Sequence, residues 1–501
     1  MDQWQWLNDF RTFFDPPHTK LRIGSRDLLG LIPLYLSLRR FNTHMYVVGA
    51  SGQGKSKFLQ HALFELATKG WGCGVFDPHA DLASDLLAQL ATSPSTKAWL
   101  SYPQNYRRVL YLDPAREDYV VPCNILRNSF CSPYEIAENV VEAFRRVWPD
   151  SLAEAPRFAQ ILRNAVLVLI ANDLTLLELE PLLTDKAFRM RMLQQVSDPQ
   201  VASFFMHQFD RWKREQPIFI APVLNKVSAF LFKPQVRLML GANENRLDFR
   251  TIIDRGTVLI LNLGCFRDEE TQRLLGSLFL TSLEQAAFSR SNISPSYRKP
   301  FFCMIDEFPL FCSRDATSLA RILSECRKYQ LHLGLAHQTI TQLPGERIQG
   351  ALENAKLKIV FGTGRQTAES IVKELFMPDL RAVKHEVRDT EAQGRTHPVF
   401  DPMLEQFERF TQMIQRLRRR RVLVKLPERE RVYRLRVAKV PQMRLSTERL
   451  DVIKQMLAKS VGKPSVAIAA EIRNRAEKYG VPIHAPQPSS RSSPMAEEFW
   501  Q

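Results

Sequence analysis

Gly49-Ala50-Ser51-Gly52-Gln53-Gly54-Lys55-Ser56 directly follows the apolar run Met45-Tyr46-Val47-Val48 and precedes apolar residues at helical spacing, Phe58, Leu59, Ala62, Leu63 and Leu66. The octapeptide fits G-x-x-x-x-G-K-[ST], and its setting between a strand and a helix is the one a phosphate-wrapping loop requires. Consecutive backbone N–H groups can close around an anion only where no Cβ intervenes, which accounts for Gly49, Gly52 and Gly54. The helix opening at Ser56 then turns its positive end to the same anion. Ser51, Gln53 and the three glycines form the cradle. Lys55 is placed to reach the β- and γ-phosphates and the Ser56 hydroxyl to ligate Mg2+. A chance glycine turn is the alternative, and it has no need of the flanking strand and helix.

The rest of the chain extends this α/β reading. Gly72-Cys73-Gly74-Val75-Phe76 runs into Asp77-Pro78-His79-Ala80-Asp81, and Val109 to Leu112 runs into Asp113-Pro114. After a long break, strand-like runs return at Val258 to Leu263, Phe301 to Ile305, Leu331 to Ala336 and Leu357 to Phe361. Apolar strands alternating with helices, each ending in a polar turn, indicate a mostly parallel sheet with its site at the carboxyl ends of the strands. The break, 132–241, has helical periodicity throughout and opens on Ser132-Pro133-Tyr134-Glu135, a capping box with proline in the first turn. Further helix starts are expected at Thr184 and after Asp198-Pro199, and another helix from Val223 to Phe232.

The expected organisation is an arm and lead-in strand (1–40), a first core part (41–131), an all-helical insertion (132–241) and a second core part (242–380). A polar, aperiodic connector leads into a basic β-hairpin (381–445, strands 422–426 and 432–437). Two C-terminal helices follow (446–481), then a Pro/Ser-rich tail expected to be disordered (482–501).

Composition bounds the partners. The 501 residues carry 69 Lys and Arg against 53 Asp and Glu, a net +16, with 45% hydrophobic residues. That is a soluble globular balance with a preference for polyanions. The window 416–436 holds ten basic residues against Glu428 and Glu430. Arg418, Arg419, Arg420 and Arg421, with Arg434 and Arg436 on one face of the second strand, are the nucleic-acid candidates, suited to phosphates rather than to base sequence. A solvated or subunit-facing surface is the equal alternative. No apolar run approaches the ~20 residues of a membrane-spanning helix, and the N-terminus has no signal-peptide pattern. The seven cysteines form no C-x-x-C pair, which fits free thiols in a reducing cytoplasm. Asp77, His79 and Asp81 lie on one short loop and read as a turn and helix cap rather than as metal ligands.

A nucleotide site of this kind needs carboxylates at the end of another strand, and Phe301-Phe302-Cys303-Met304-Ile305-Asp306-Glu307 supplies a pair. Asp306 can serve the Mg2+ shell, while Glu307, pointing elsewhere, can polarise the water that attacks the γ-phosphate. One strand later comes Leu331-His332-Leu333-Gly334-Leu335-Ala336-His337-Gln338. The neutral amide of Gln338 can touch both γ-phosphate and water without adding charge. Arg327, on the helix before that strand, can neutralise developing charge, including from a neighbouring subunit. Its alternative is an ordinary solvated arginine, and Arg365 is a weaker candidate of the same type.

Together these residues resemble the branch of P-loop motor ATPases that holds HerA and the conjugative (type IV secretion, TraG/TraD-like) coupling proteins, near the FtsK-like DNA pumps. Further signposts are Thr43-His44, Asp77 to Leu82, Tyr111 to Pro114 with Pro122 to Leu126, Glu325-Cys326-Arg327-Lys328-Tyr329, and Ala336-His337-Gln338 with Gln342-Leu343. The resemblance implies a RecA-like core of the type with an added catalytic glutamate, ATP and Mg2+ as ligands and a homo-hexameric ring. It implies that DNA is moved through the channel without sequence preference, with Lys55, Glu307, Gln338 and a trans-acting Arg327 as the catalytic set. Coupling proteins usually begin with membrane-spanning helices and HerA helicases with a small β-barrel; neither pattern occurs before residue 40. The rival expectations are a repair or anti-phage helicase, and an ATP-gated platform that recruits proteins through the helical insertion or the Glu497-Glu498-Phe499-Trp500-Gln501 tip.

Overall fold

The computed structural model describes residues 15–26, 32–38, 41–148, 155–312, 317–343, 345–388, 396–427, 431–441 and 445–481. Its strands are β1 (Lys20–Arg26), β2 (Pro33–Ser37), β3 (Met45–Val48), β4 (Gly72–Asp77), β5 (Val109–Leu112), β6 (Tyr119–Val120), β7 (Val258–Asn262) and β8 (Phe301–Ile305). They continue with β9 (Leu331–His337), β10 (Leu357–Val360), β11 (Val383–Arg388), β12 (Thr396–Phe400), β13 (Arg421–Lys425), β14 (Val432–Arg436) and β15 (Lys463–Pro464). An 11-stranded sheet has the order β2-β1-β14-β13-β10-β3-β9-β8-β4-β7-β5. From β10 to β5 every pairing is parallel; from β10 outwards to β2 every pairing is antiparallel.

The central strands are buried along their whole length, because helices cover both faces, and so they read as unbroken apolar runs. The pleat divides them between two cores. Tyr46 and Val48 pack on the face that also receives the helical insertion, while Met45 and Val47 pack with Phe58, Leu59 and Leu63 of the phosphate-loop helix Lys55–Thr68. The strand order puts β3, β9 and β8 side by side, so the phosphate loop, Gln338 and the Asp306-Glu307 pair emerge together at the carboxyl edge.

The insertion is helical where described. Its first helix, Pro133–Val147, carries the expected capping box: Ser132 N donates to Glu135 Oε2 at 2.7 Å, and Ser132 Oγ accepts from Glu135 N at 3.3 Å. The helix expected from Thr184 is instead Lys186–Leu193, capped by Asp185, because a shorter helix ends at Thr184. The helix expected from Val223 starts at Gln216 and carries Pro222 inside it. A second capping box, Thr175 with Glu178, is wholly buried.

Three expectations change. Residues 20–37 are not a lead-in to the first core strand. They contain the antiparallel strands β1 and β2, and β1 joins β14, so strands some 400 residues apart in sequence complete one edge of the sheet. The basic hairpin β13–β14 is likewise part of that sheet, paired to β10. The stretch read as an aperiodic connector contains the antiparallel strand pair β11–β12. Val383, Val399 and Phe400 are exposed there, so no core-facing alternation marks it in the sequence. Residues 482–501, expected to be disordered and to end in a docking tip, lie outside the described residues. The helices Thr447–Val461 and Ser465–Tyr479 pack back on the body of the protein, the second through Ile468 and Ile472.

Three buried imidazoles line the seam between β3 and β9. Burial pushes His44 down to about 3, and His332 and His337 to about 4, from the usual 6.5. Each stays neutral in the fold while the unfolded chain takes up a proton below 6.5, so their contribution to stability is full above pH 6.5. It is lost as pH falls towards 4. Urea midpoints are expected to drop between pH 7.5 and 5.5, and the drop to shrink in His332→Phe.

Candidate nucleotide site

The phosphate loop leaves β3 through two left-handed glycines, Gly52 (φ +75°) and Gly54 (φ +112°), a conformation a Cβ would strain. Gly49 is needed for space instead, since a Cβ there would lie 2.4 Å from Phe361 Cβ. Ser51 is exposed and Gln53 half-buried, and Gln53 O accepts from Arg420 N at 3.0 Å. Gly54 is the N-cap of the helix and no side chain caps it, so the first N–H groups of the helix remain available to an anion. Lys55 is buried and folds back, its Nζ donating to Gly49 O at 2.6 Å and Ala50 O at 3.3 Å. Burial lowers its pKa, opposed by Glu307 and Asp306.

Ser56 Oγ donates to Asp306 Oδ2 at 3.3 Å, across 250 residues of sequence. A hydroxyl and a carboxylate converging beside a phosphate loop form a hard, all-oxygen donor set, which fits Mg2+. Burial, then the charges of Glu307 and Asp77, push Asp306 up to about 6, a cost that a cation at this point would relieve.

Glu307 takes up a left-handed backbone (φ +46°) and its N–H donates to Asp306 Oδ1 at 3.2 Å. A non-glycine residue held in that region stores strain, and here the bend sends the two neighbouring carboxylates in different directions. Gln338 Nε2 donates to Glu307 Oε1 at 2.8 Å, and Gln342 Nε2 donates to Glu307 Oε2 at 3.2 Å. Gln342 has no chemical role in the sequence reading. The Thr339-x-x-Gln342 spacing of a capping box, present in the structure, is the signal that finds it.

Other candidates lie apart. Arg327 is on the turn Cys326–Tyr329, before β9, whereas Gln338 follows β9. Seven residues of strand separate the two ends by roughly 20 Å, and Arg327 acts electrostatically on His44, at the far end of β3. It does not join the site of its own chain. Arg365 is held by Glu369 (2.6 Å) and Glu408 (2.9 Å). Asp77 is a turn and helix cap, accepting from His79 N at 2.9 Å and Ala83 N at 2.7 Å.

Of the basic cluster, Arg418, Arg419, Arg434 and Arg436 are exposed. Arg421 opposes Arg436 across β13–β14. Arg420, with φ +66° and its side chain on Val437 O, rests against the phosphate loop itself. No helix among the described residues is long and apolar enough to cross a membrane.

The sheet and the loop it carries define a RecA-like P-loop fold of the α/β class, with a mostly parallel sheet extended by an antiparallel edge. Residues 21–283, more than half of the chain, match the family described as "Helicase HerA, central domain", and the chain belongs to it. Solved structures share the fold. The unbound conjugative coupling protein TrwB (TrwBΔN70) is 16% identical with a TM-score of 0.55, covering 85% of this chain and 91% of that one. TrwB in complex with the non-hydrolysable ATP analogue ADPNP is 16% identical with a TM-score of 0.56, covering 85% and 92%. VirB4 of Thermoanaerobacter pseudethanolicus is 12% identical with a TM-score of 0.52, covering 84% and 97%. No match was found among curated proteins.

Proposed function

We propose that the protein is an ATPase that works as a homo-hexameric ring and moves DNA without sequence preference, in conjugative transfer or related DNA processing. The observation that carries the ATPase reading is the meeting of Ser56 with Asp306 at 3.3 Å beside Glu307, which two amides hold. The solved relatives support the ligands, since TrwB has been captured with ADPNP and with ADP and Mg2+.

In this reading Lys55 exchanges the Gly49 and Ala50 carbonyls for the β- and γ-phosphates, and the uncapped N–H groups after Gly54 take the remaining phosphate oxygens. Ser56 and Asp306 would hold Mg2+, which would supply charge neutralisation for the phosphate oxygens. Glu307 orients a water on the γ-phosphorus and accepts its proton as the bond to ADP breaks. Gln338 registers the γ-phosphate. Arg327, placed away from its own site, would serve the nucleotide of the adjacent subunit, which ties hydrolysis to the ring. The exposed Arg418, Arg419, Arg434 and Arg436, with Arg420 and Arg421 beside them, give a basic edge next to the phosphate loop where DNA phosphates can bind.

Steady-state ATP turnover of the full chain, with and without long DNA, tests this. DNA is expected to raise turnover several-fold at low salt and less at moderate salt, because phosphate contacts release counterions. Turnover indifferent to DNA at both salts would favour a docking platform over a pump.

A further inference from the structure

We infer that Gln342 is a positioning residue, a permanent tether on the Glu307 carboxylate, whereas Gln338 is a removable clasp on the same group. The inference rests on the ATPase reading above and assigns a division of labour within it.

The argument starts from which atoms are committed. Gln342 Oε1 accepts from Gln338 N at 2.9 Å and from Thr339 N at 3.0 Å. Two backbone donors on one oxygen fix which end of the amide is which, so the NH2 end must face Glu307. There it donates to Oε2 at 3.2 Å. Among the described residues no hydrogen bond fixes the carbonyl end of the Gln338 side chain, whose Nε2 donates to Glu307 Oε1 at 2.8 Å. A γ-phosphate competes directly for that donor. If Gln338 turns to the phosphate, Oε1 is released to accept a proton from water while Oε2 stays tethered. The base is freed without becoming mobile, at the moment the phosphate arrives.

The surroundings agree with this assignment. Gln342 is exposed, so water can serve the N–H groups of Gln338 and Thr339 if its side chain is lost. Its structural contribution is therefore replaceable, while its hold on Glu307 is not. Lys55 and Asp306 are the charged groups that act on this corner, with Asp77 and His79 acting on Asp306. His337 lies beside Gln342. None of these is placed to substitute for the tether.

The test uses the full chain with Gln342→Leu, Gln342→Glu, Glu307→Gln and the double variant Glu307→Gln/Gln342→Leu. The readouts are kcat, KM and affinity for a fluorescent ADP derivative. Gln342→Glu keeps an acceptor for both backbone N–H groups and turns a second carboxylate oxygen on Glu307, so it isolates the tether from the turn. Both single variants at 342 are expected to lose about 10- to 100-fold in kcat with KM and nucleotide affinity within about twofold. In the Glu307→Gln background, Gln342→Leu should change the residual rate by less than about twofold, since a residue acting through Glu307 has nothing left to position.

An unchanged kcat in both variants, a change in KM alone, or a full additional loss in the Glu307→Gln background overturns the tether. Should Gln342→Leu melt early, Gln342→Glu decides. Wild-type turnover that survives Glu307→Gln overturns the ATPase base assignment and the tether with it. A dead Glu307→Gln beside unaffected 342 variants overturns the tether alone.

Discussion

Glu307→Gln in the full chain is expected to bind nucleotide as the parent does and to lose ATP turnover by about two to four orders of magnitude. The substitution is nearly isosteric and leaves the loop, Lys55, Ser56 and Asp306 in place, so binding has no reason to change. What disappears is the proton acceptor. An amide at 307 also offers a single acceptor oxygen to two donors, Gln338 and Gln342. Gln342 keeps the oxygen, and Gln338, whose carbonyl end is uncommitted, can turn over to accept from the new NH2, so the clamp is retained while the base is lost. The measurement is kcat beside the affinity for a fluorescent ADP derivative. A loss of less than about tenfold would mean that another group takes the proton, and the left-handed bend at Glu307 would then need a different explanation.

Arg475→Ala is expected to destabilise the protein by about 3–5 kcal/mol, the range found when one partner of a buried ion pair is removed. Arg475 lies on the helix Ser465–Tyr479 and reaches into the insertion. Its Nε donates to Glu178 Oε1 at 2.6 Å, and its Nη2 to Gly241 O at 2.9 Å and Thr175 Oγ1 at 3.2 Å. It also donates to Asn243. Glu178 is fully buried and its other oxygen caps Thr175 N at 2.8 Å. Without the guanidinium a carboxylate is left in the core, and the helix Ser465–Tyr479 loses the ion pair that ties it to the insertion. Urea denaturation measures the loss, and limited proteolysis should cut first between residues 446 and 481. Adding Glu178→Gln should return part of the stability, because the stranded charge is gone. A shift below about 1 kcal/mol would mean that the helix is held by its apolar face alone.

Much of the core was legible because its signals are local. The phosphate loop needs glycine at set positions, the buried strands are unbroken apolar runs, and the two helices expected within 446–481 carry their buried residues at helical spacing. Ser132-x-x-Glu135 marked a helix start for the same reason: a cap is made by residues three apart. The strand pair β11–β12 was not legible, since its described side chains are exposed and leave no alternation. The joining of β1 to β14 was missed because pairing partners some 400 residues apart leave no trace in either segment.

The same division holds at the candidate site. The sequence by itself determined the kinds of groups present: a glycine cradle with Lys55 and Ser56, a strand-end carboxylate pair, and an amide at the end of the next strand. Only the tertiary structure decided how they are joined. Strand order sets β3 beside β9 and β9 beside β8, which brings Ser56 to Asp306 and closes Gln338 and Gln342 on Glu307. It also carries Arg327 to the opposite end of the strands and lays Arg420 against the phosphate loop. The physical reason is that local backbone chemistry is written in spacing, whereas the order of strands in a sheet is chosen by how two cores pack on its faces.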